Sequence, residues 1–220
     1  MFGYLKRSLD VVKEQGSKIA KANAFEWEKE QFLLKLNCKE DLKEWVSGCD
    51  KDIGGNSKAS LEISPEGFGR FSGDISLDLP KNNPIVKRSG YAAIRSASRG
   101  SLFGLKVWDT TLFRYLALRV KGNDDKKYFV NIQTDGPIPT DLYQHRLYLR
   151  NIGEWENVMI PFKDFILTNK GIIQDPQVIM YREKVRTIGI SLLSQPGHFC
   201  LEIDWIKMMN TENTFGDYDL

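Results

Sequence analysis

The chain has 220 residues, enough for one sizeable hydrophobic core, and its 31 basic and 29 acidic residues give a net charge of +2. This charge is too small for a protein held on nucleic acid mainly by neutralised phosphates. Aromatic residues make up 11% of the sequence, which indicates a folded chain. The sequence contains no run of about 18 apolar residues, so no membrane-spanning helix is predicted.

The three cysteines, Cys38, Cys49 and Cys200, show no C-x-x-C spacing. The sequence therefore indicates neither a disulfide framework nor a structural zinc site. A reducing compartment or buried free thiols are the simpler interpretations.

The first predicted element is a basic amphipathic helix in the N-terminal segment. Leu5, Leu9 and Val12 fall near one helical face, with most of the lysines and arginines elsewhere. We therefore predict a helical extension over residues 1–36. Mitochondrial targeting, peripheral contact with a membrane and packing on the domain or on a partner are three open uses for it.

A second, short helix is predicted over residues 37–48. Asn37 is a typical N-cap with Glu40 three residues later, and Gly48 can end the helix. Trp45 would lie on its buried face.

After Gly48 the apolar residues alternate with polar ones, which is typical of β-strands. About nine short strands are predicted, with turn clusters between them, over residues 59–63, 71–79, 90–96, 115–121, 128–134, 146–149, 157–162, 187–193 and 199–206. Short strands without long intervening helices favour a two-sheet jelly-roll β-sandwich, a mainly β fold. We expect this domain to span residues 37–208, followed by a polar tail over residues 209–220.

The stretch D-I-G-G-N-S-K-A-S-L-E-I, residues 52–63, superficially resembles a phosphate-binding loop. It lacks the G-x-x-x-x-G-K-[ST] spacing, and a predicted strand rather than a helix follows it. Residues 67–73 imitate a dinucleotide fingerprint, but with one residue too many before the third glycine. No cofactor is predicted.

The sequence gives little support for catalysis. Its only histidines are His145 and His198, there is no G-x-S-x-G motif, and no cysteine has an activating local context. We predict no catalytic residue and no enzymatic activity.

Two acidic residues near the C-terminus, Glu202 and Asp204, alternate on one face of a predicted strand. Leu201, Ile203 and Trp205 take the other face. The pair could ligate calcium through its oxygen atoms, but an exposed strand face beside basic neighbours is the simpler interpretation. A metal site is therefore only a weak alternative.

Aromatic residues near turns suggest a second alternative, a carbohydrate-binding module. Tyr143 and Trp155 would be the stacking platforms for a sugar ring. Burial in the core of the sandwich is the competing explanation for both.

Several motifs in order resemble the complex I intermediate-associated protein family. They are K-E-D-L-K-E-W (39–45), D-K-D-I-G-G-N-S (50–57), R-S-G-Y-A (88–92), Y-L-A-L-R-V-K-G (115–122), Y-F-V-N-I (128–132), W-E-N-V-M-I-P-F (155–162), T-I-G-I (187–190) and F-C-L-E-I-D (199–204). The resemblance covers about residues 38–206.

The resemblance implies a galactose-binding-type jelly roll, in agreement with the predicted strands. It also implies a non-enzymatic assembly factor, or chaperone, of mitochondrial NADH dehydrogenase (complex I). Such a protein would bind assembly intermediates and other assembly factors on the matrix side of the inner membrane. Service to a different complex, and a cytoplasmic location, are the alternatives.

We expect two polar segments to form the partner-binding surface, since polar glycine-containing loops add nothing to a core. Its residues are Asp50, Lys51, Ile53, Gly54, Gly55, Ser57, Arg88, Ser89, Gly90 and Tyr91. Special backbone geometry explains the glycines equally well, because glycine adopts dihedral angles closed to other residues.

Overall fold

The computed structural model describes residues 29–80, 86, 88–101 and 104–211. Nearly all regular structure in these ranges is β-strand, arranged in two antiparallel sheets. Sheet I has the order β11-β8-β15-β4-β3, and β1 also pairs with β15. Its strands are β1 (Glu30–Lys35), β3 (Lys58–Ile63), β4 (Gly69–Ile75), β8 (Tyr115–Gly122), β11 (Glu156–Pro161) and β15 (Gly197–Met209).

Sheet II has the order β13-β12-β10-β9-β14-β5-β2. Its strands are β2 (Trp45–Cys49), β5 (Tyr91–Ser96), β9 (Tyr128–Thr134), β10 (Asp141–Leu147), β12 (Ile166–Asn169), β13 (Ile172–Ile173) and β14 (Val185–Leu193). A separate two-stranded ladder joins β6 (Gly100–Ser101) to β7 (Gly104–Leu105). The short 3-10 helices are Asp41–Glu44, Asp50–Ile53, Phe162–Asp164 and Arg182–Lys184.

The core lies between the two sheets and follows from the period of two in the strand sequences. Each strand turns alternate apolar side chains inward, where they form one contiguous hydrophobic cluster. Fully buried members include Phe71, Leu116, Leu118, Phe199 and Leu201 from sheet I and Ile94, Val130, Ile132, Ile188 and Ile190 from sheet II. The predicted jelly-roll β-sandwich is confirmed.

The first correction concerns the predicted helical extension over residues 1–36. Residues 30–35 form strand β1, which pairs antiparallel with the C-terminal half of β15. Leu33 and Leu34 are buried in the core. Residues 1–28, where the amphipathic pattern lies, are outside the described residues.

The second correction concerns the helix predicted over residues 37–48. Only Asp41–Glu44 is helical, as a single 3-10 turn, and Trp45 begins strand β2. The capping pattern predicted a helix that does not form, because residues 45–49 pair with β5 as a strand. Local sequence propensity does not include such pairing with a distant strand.

A β-bulge in β15 changes which residues face outward. The pairing of β15 with β8 shifts register between Ile203 and Trp205, so Asp204 is an extra residue on β15. Because of this extra residue, Ile206 and Met208 continue the buried face and Trp205 turns outward, contrary to the alternation predicted from the sequence.

The structure contains further elements that the alternation did not predict. Strands β12 and β13 were not predicted, and β10 occupies Asp141–Leu147 rather than 146–149. The described residues contain no helix that is long and apolar enough to cross a membrane.

The polar tail predicted over residues 209–220 begins one residue too early, because Met209 still belongs to β15. Residues 212–220 lie outside the described part of the chain.

Candidate functional site

Asp50 is the centre of the first candidate site, and its side chain is completely buried. The backbone N–H and the hydroxyl of Ser57 donate to its two carboxylate oxygens, each at 2.9 Å, and the N–H of Gly90 donates at 2.6 Å. The Ser57 hydroxyl in turn accepts the N–H of Ser76 at 3.0 Å. These hydrogen bonds offset the desolvation of the carboxylate and join three chain segments. We call Asp50, Ser57, Ser76 and Gly90 the Asp50 cluster.

The glycines around the Asp50 cluster are required by its geometry. A Cβ atom at Gly55 would lie 2.4 Å from the Asp50 carboxylate carbon. Gly90 has φ of +86°, and a Cβ atom there would lie 2.4 Å from a methyl group of Leu77. Gly54 is exposed and adopts a left-handed conformation with φ of +90°. The geometric explanation therefore accounts for all three positions.

The remaining predicted contact residues lie around the Asp50 cluster. Lys51, Ile53 and Arg88 are exposed, while Ser89 and Tyr91 are half-buried. Burial, reinforced by the neighbouring carboxylates, raises the pKa of the Tyr91 phenol. The Gly90–Asp50 hydrogen bond brings the two predicted segments together. We call the exposed residues Lys51, Ile53 and Arg88 the Lys51–Arg88 surface.

Glu202, a weak candidate calcium ligand, is only 3% exposed on the outward face of sheet I. Arg70 Nη2 lies 3.1 Å from one of its carboxylate oxygens, and Lys121 Nζ lies 2.5 Å from the other. Both carboxylate oxygens of Glu202 are therefore engaged in ion pairs.

Asp204, the second candidate calcium ligand, lies at the β-bulge, and both of its carboxylate oxygens also have partners. Arg119 Nη1 lies 2.6 Å from one oxygen, and the side-chain amide of Asn37 donates to the other at 2.7 Å. Across residues 29–211, so far as they are described, no three His, Cys, Asp or Glu side chains form a group suited to a metal ion. The contacts favour an ion-paired strand face.

The two aromatic residues of the carbohydrate alternative do not meet. Trp155 lies on the outward side of sheet I, with its ring centroid 4.6 Å from Phe68 and 5.1 Å from the Arg119 guanidinium. Tyr143 is only 4% exposed; it faces the core from sheet II and donates its hydroxyl to the carbonyl of Ile179. Tyr143 therefore has no free ring face for a sugar, and its position agrees with the competing explanation, burial in the core. The two histidines also lie on different sheets, His145 in β10 and His198 in β15.

The outward face of sheet II carries a polar row that the sequence analysis missed. Asn131 donates to the Ser191 hydroxyl at 2.9 Å, Gln144 donates to the Asn131 side-chain carbonyl at 2.6 Å, and Thr168 donates to Gln144 at 2.8 Å. The row crosses β14, β9, β10 and β12. Its sequence signal was the run of uncharged polar residues at alternate positions of these strands, where charged residues are usual on a solvated face.

The architecture is that of a jelly-roll β-sandwich protein, a fold that carbohydrate-binding modules also adopt. A family 11 carbohydrate-binding module from Clostridium thermocellum superposes with a TM-score of 0.56 at 15% identity, covering 83% of this chain and 96% of that module. A solution structure of a module of the same type, CtCBM11, gives a TM-score of 0.52, also at 15% identity, with 85% and 98% covered. At such low identity the likeness shows the fold alone.

The family is shown by sequence. The family model described as Complex I intermediate-associated protein 30 (CIA30) matches residues 34–203, and the chain belongs to this family. A mitochondrial protein of that name from Neurospora crassa is 37% identical over 183 residues, covering 71% of this chain and 66% of the relative. The proteins of that name from Drosophila melanogaster and Mus musculus are 36% and 32% identical, covering 76% and 81% of this chain.

The chain spans only part of these relatives. It covers 66%, 58% and 56% of the length of the Neurospora, Drosophila and mouse proteins. The matched region is nevertheless most of the sandwich, since it runs from β1 to the middle of β15.

Proposed function

We propose that this chain is an assembly factor of mitochondrial respiratory complex I and acts as a protein-interaction module without enzymatic activity. The observation that carries the proposal is the family match over residues 34–203. It is supported by relatives in three organisms whose names place them in mitochondria and associate them with complex I intermediates.

The site chemistry supports a binding role rather than a catalytic one. The buried carboxylate of Asp50 is held by hydrogen bonds, and those of Glu202 and Asp204 are held by ion pairs. General acid–base catalysis needs a carboxyl group within reach of a substrate proton, and these three are committed to the fold.

Within the proposed function, the partners are assembly intermediates of complex I and other assembly factors. The location is the mitochondrial matrix at the inner membrane. Residues 1–28 would supply any peripheral membrane contact, as their basic amphipathic pattern suggests.

The function is tested by purifying the tagged full-length protein from its own mitochondria under mild conditions. Mass spectrometry of the captured proteins should show enrichment of complex I subunits. Enrichment of a different stable complex in their place would leave the fold intact and contradict the function.

The Lys51–Arg88 surface is our proposed contact region for these partners. Replacing Lys51→Glu together with Arg88→Glu should weaken capture of complex I subunits about tenfold, because reversed charges repel a partner that the native charges attract. The melting temperature should stay within about 2 °C of the wild type, since both side chains are exposed.

The matched control for this variant is Lys43→Glu with Lys163→Glu, two exposed positions outside the proposed surface. It changes the net charge by the same amount. Equal capture by the test variant and the control would remove the Lys51–Arg88 surface from the proposal.

A further inference from the structure

The two sheets of the sandwich differ sharply in charge. The strands of sheet I contain six acidic and six basic residues, which are Glu30, Glu62, Asp74, Glu156, Glu202 and Asp204 against Lys35, Lys58, Arg70, Arg119, Lys121 and Lys207. Many of these charges pair with one another, as Glu202 does with Arg70 and Lys207 does with Glu30. The outward face of sheet I thus neutralises itself.

Sheet II has the opposite character. Its seven strands contain three arginines, Arg95, Arg146 and Arg186, no lysine, and one carboxylate, Asp141. Asp141 stands at the first residue of β10 and accepts a hydrogen bond from the side-chain amide of Asn169 at 2.7 Å. The three arginines of this sheet therefore outnumber its one carboxylate, which is bound to Asn169.

Arg95 and Arg146 lie at regular outward-facing positions of sheet II, whereas Arg186 occupies the irregular position between Val185 and Thr187. Arg95 is exposed and lies opposite Gly189 in the ladder, and Arg146 lies opposite Phe129. The Arg146 guanidinium sits 4.8 Å from the ring centroid of Tyr148, and its Nε has no hydrogen-bond partner. Among the described residues, no carboxylate lies within 4.0 Å of either guanidinium.

Small side chains occupy much of the outward face around these two arginines. Gly48, Ala93 and Ser191 lie side by side across β2, β5 and β14, with Phe129 next on β9. Gly189, in the adjacent row, has no room for a side chain, because a Cβ atom would lie 2.4 Å from the carbonyl oxygen of Ile94. The outward face is therefore low across β2, β5 and β14 apart from Arg95, while the larger side chains of Phe129 and Arg146 lie next to each other on β9 and β10.

Apolar side chains border the same face. Val46 on β2 is 43% exposed, Ile166 on β12 is 45% exposed, and Ile173 on β13 is 67% exposed. In the ladder, Val46 lies opposite Arg95 and Ile173 opposite Thr168. These positions put exposed hydrophobic groups at both ends of a polar, positively charged surface.

We propose that the outward face of sheet II is a docking surface for an acidic segment of a partner protein. The segment's carboxylates bind Arg95 and Arg146, and flanking apolar side chains cover Val46 and Ile166. Arginine is enriched at protein interfaces. Its guanidinium forms paired hydrogen bonds with a carboxylate and is weakly hydrated, which suits it to interface ion pairs.

Charge decides the chemistry of the partner. Two arginines without neighbouring carboxylates repel basic groups and attract acidic ones. They are too few to hold a nucleic acid chain, for which several neutralised phosphates are needed, and the net charge is only +2. The uncharged polar row already uses its hydrogen bonds internally, so it contributes shape to the face rather than charge.

This inference rests on the proposed function, in which the partner belongs to a complex I intermediate, and names the recognition chemistry of that partner. Replacing Arg95→Glu together with Arg146→Glu in the full-length tagged protein should reduce capture of complex I subunits by about tenfold or more. Capture by the wild type should weaken as the salt concentration is raised from about 0.1 M to about 1 M, because the Debye length falls from about 10 Å to about 3 Å.

The matched control is Lys35→Glu with Lys58→Glu, which makes the same charge change on sheet I. It should leave capture within about twofold of the wild type. If the wild type captures complex I subunits and the sheet II variant captures them equally well, the inference is wrong and the proposed function stands. If the wild type captures none, the proposed function fails.

A second measurement keeps the positive charges and does not depend on loss of capture. The variant Arg95→Lys with Arg146→Lys places two lysine amines on the outward face of sheet II. A carbodiimide cross-links such amines, through amide bonds, to carboxylates that are in direct contact with them. Mass spectrometry should find positions 95 and 146 linked to aspartate or glutamate residues of a captured protein, while Lys35 on sheet I shows no such link. Absence of links from both positions would overturn the inference, whichever protein is captured.

The same variants separate a protein partner from a lipid surface. Vesicles of phosphatidylcholine with cardiolipin are the probe, and the expected result is equal flotation of the wild type and the Arg95→Glu, Arg146→Glu variant. Flotation of the wild type alone would assign the face to anionic lipid and overturn the proposal of an acidic protein segment.

Discussion

Asp50 shows how a residue can mark a family through its structural role. The motif D-K-D-I-G-G-N-S was identified in the sequence as a candidate contact loop. In the structure its first carboxylate is completely buried; Ser57, at the end of the same motif, and Gly90, from a distant segment, donate to it. The motif therefore has a structural role, and the exposed side chains around it make up the proposed contact region.

The Asp50 cluster gives a stability prediction. Replacing Asp50→Ala should lower the free energy of unfolding by roughly 3 kcal/mol or more, because three buried donors lose their acceptor at once. Urea unfolding followed by tryptophan fluorescence measures this change. Asp52→Asn, two residues away and exposed, should change stability by less than about 0.5 kcal/mol. Similar stabilities for Asp50→Ala and the wild type would show that the hydrogen bonds contribute little.

Among the elements, β1 departs most from the sequence-based expectation. It lies beyond the N-terminal limit predicted for the sandwich, yet it extends sheet I beside β15, along the same edge as β4. Leu36, just after β1, is completely buried; its N–H donates to the carbonyl of Asp204 at 2.9 Å, and its carbonyl accepts the N–H of Gly69 at 2.7 Å. Six residues are too short a run for periodicity to separate a strand from the end of a helix.

The packing of this segment is testable with one substitution. Leu36→Ala should destabilise the domain by about 2–5 kcal/mol, the usual effect of removing a buried leucine side chain. Thermal or urea unfolding of the full chain gives the value. The neighbouring exposed residue supplies the control, since Lys35→Ala should cost less than about 1 kcal/mol. A loss below about 1 kcal/mol for Leu36→Ala would mean that the segment directly after β1 contributes little to the core.

Strand β15 illustrates what alternation alone cannot decide. Its sequence L-E-I-D-W-I predicts that Trp205 faces the core, but the bulge at Asp204 turns the indole outward, where it meets Phe32 with ring centroids 6.0 Å apart. A bulge depends on the register of two neighbouring strands that are far away in sequence. The pattern of one strand carries no signal of it.

At the scale of the whole molecule, buried phenols link stability to alkaline pH. Burial and a hydrogen bond to Asp124 raise the pKa of Tyr128 far above its ordinary value of 10.0. Burial also raises the pKa values of Tyr91 and Tyr143. Above about pH 10 the unfolded chain releases phenolic protons that the folded chain retains, so the free energy of unfolding falls as pH rises.

Tyr128→Phe tests this linkage. The variant should be about 1 kcal/mol less stable at pH 7, because it loses the hydrogen bond to Asp124, but its stability should fall less steeply above about pH 10. Urea unfolding at a series of pH values measures both effects. Tyr148→Phe, at an exposed position, is the control and should keep the wild-type slope. An unchanged slope for Tyr128→Phe would refute the assignment.

The sequence by itself determined the fold class and the family. Alternating apolar residues from Ala59 to Ile206 predicted a two-sheet sandwich because side chains of a strand point to opposite faces regardless of its partners. The ordered motifs indicated the family, and the family model covers residues 34–203. Both conclusions rest on information that is local to each strand.

Only the tertiary structure decided which polar residues are buried and which faces are charged. Asp50 and Gly90 are forty positions apart in sequence, and Glu202 meets Arg70 and Lys121 from two other strands. The imbalance between a self-neutralised sheet I and an arginine-bearing sheet II becomes visible only when the strands are assigned to their sheets. Strand order is set by long-range hydrogen bonding and by packing of the common core, and no single segment of the sequence encodes it.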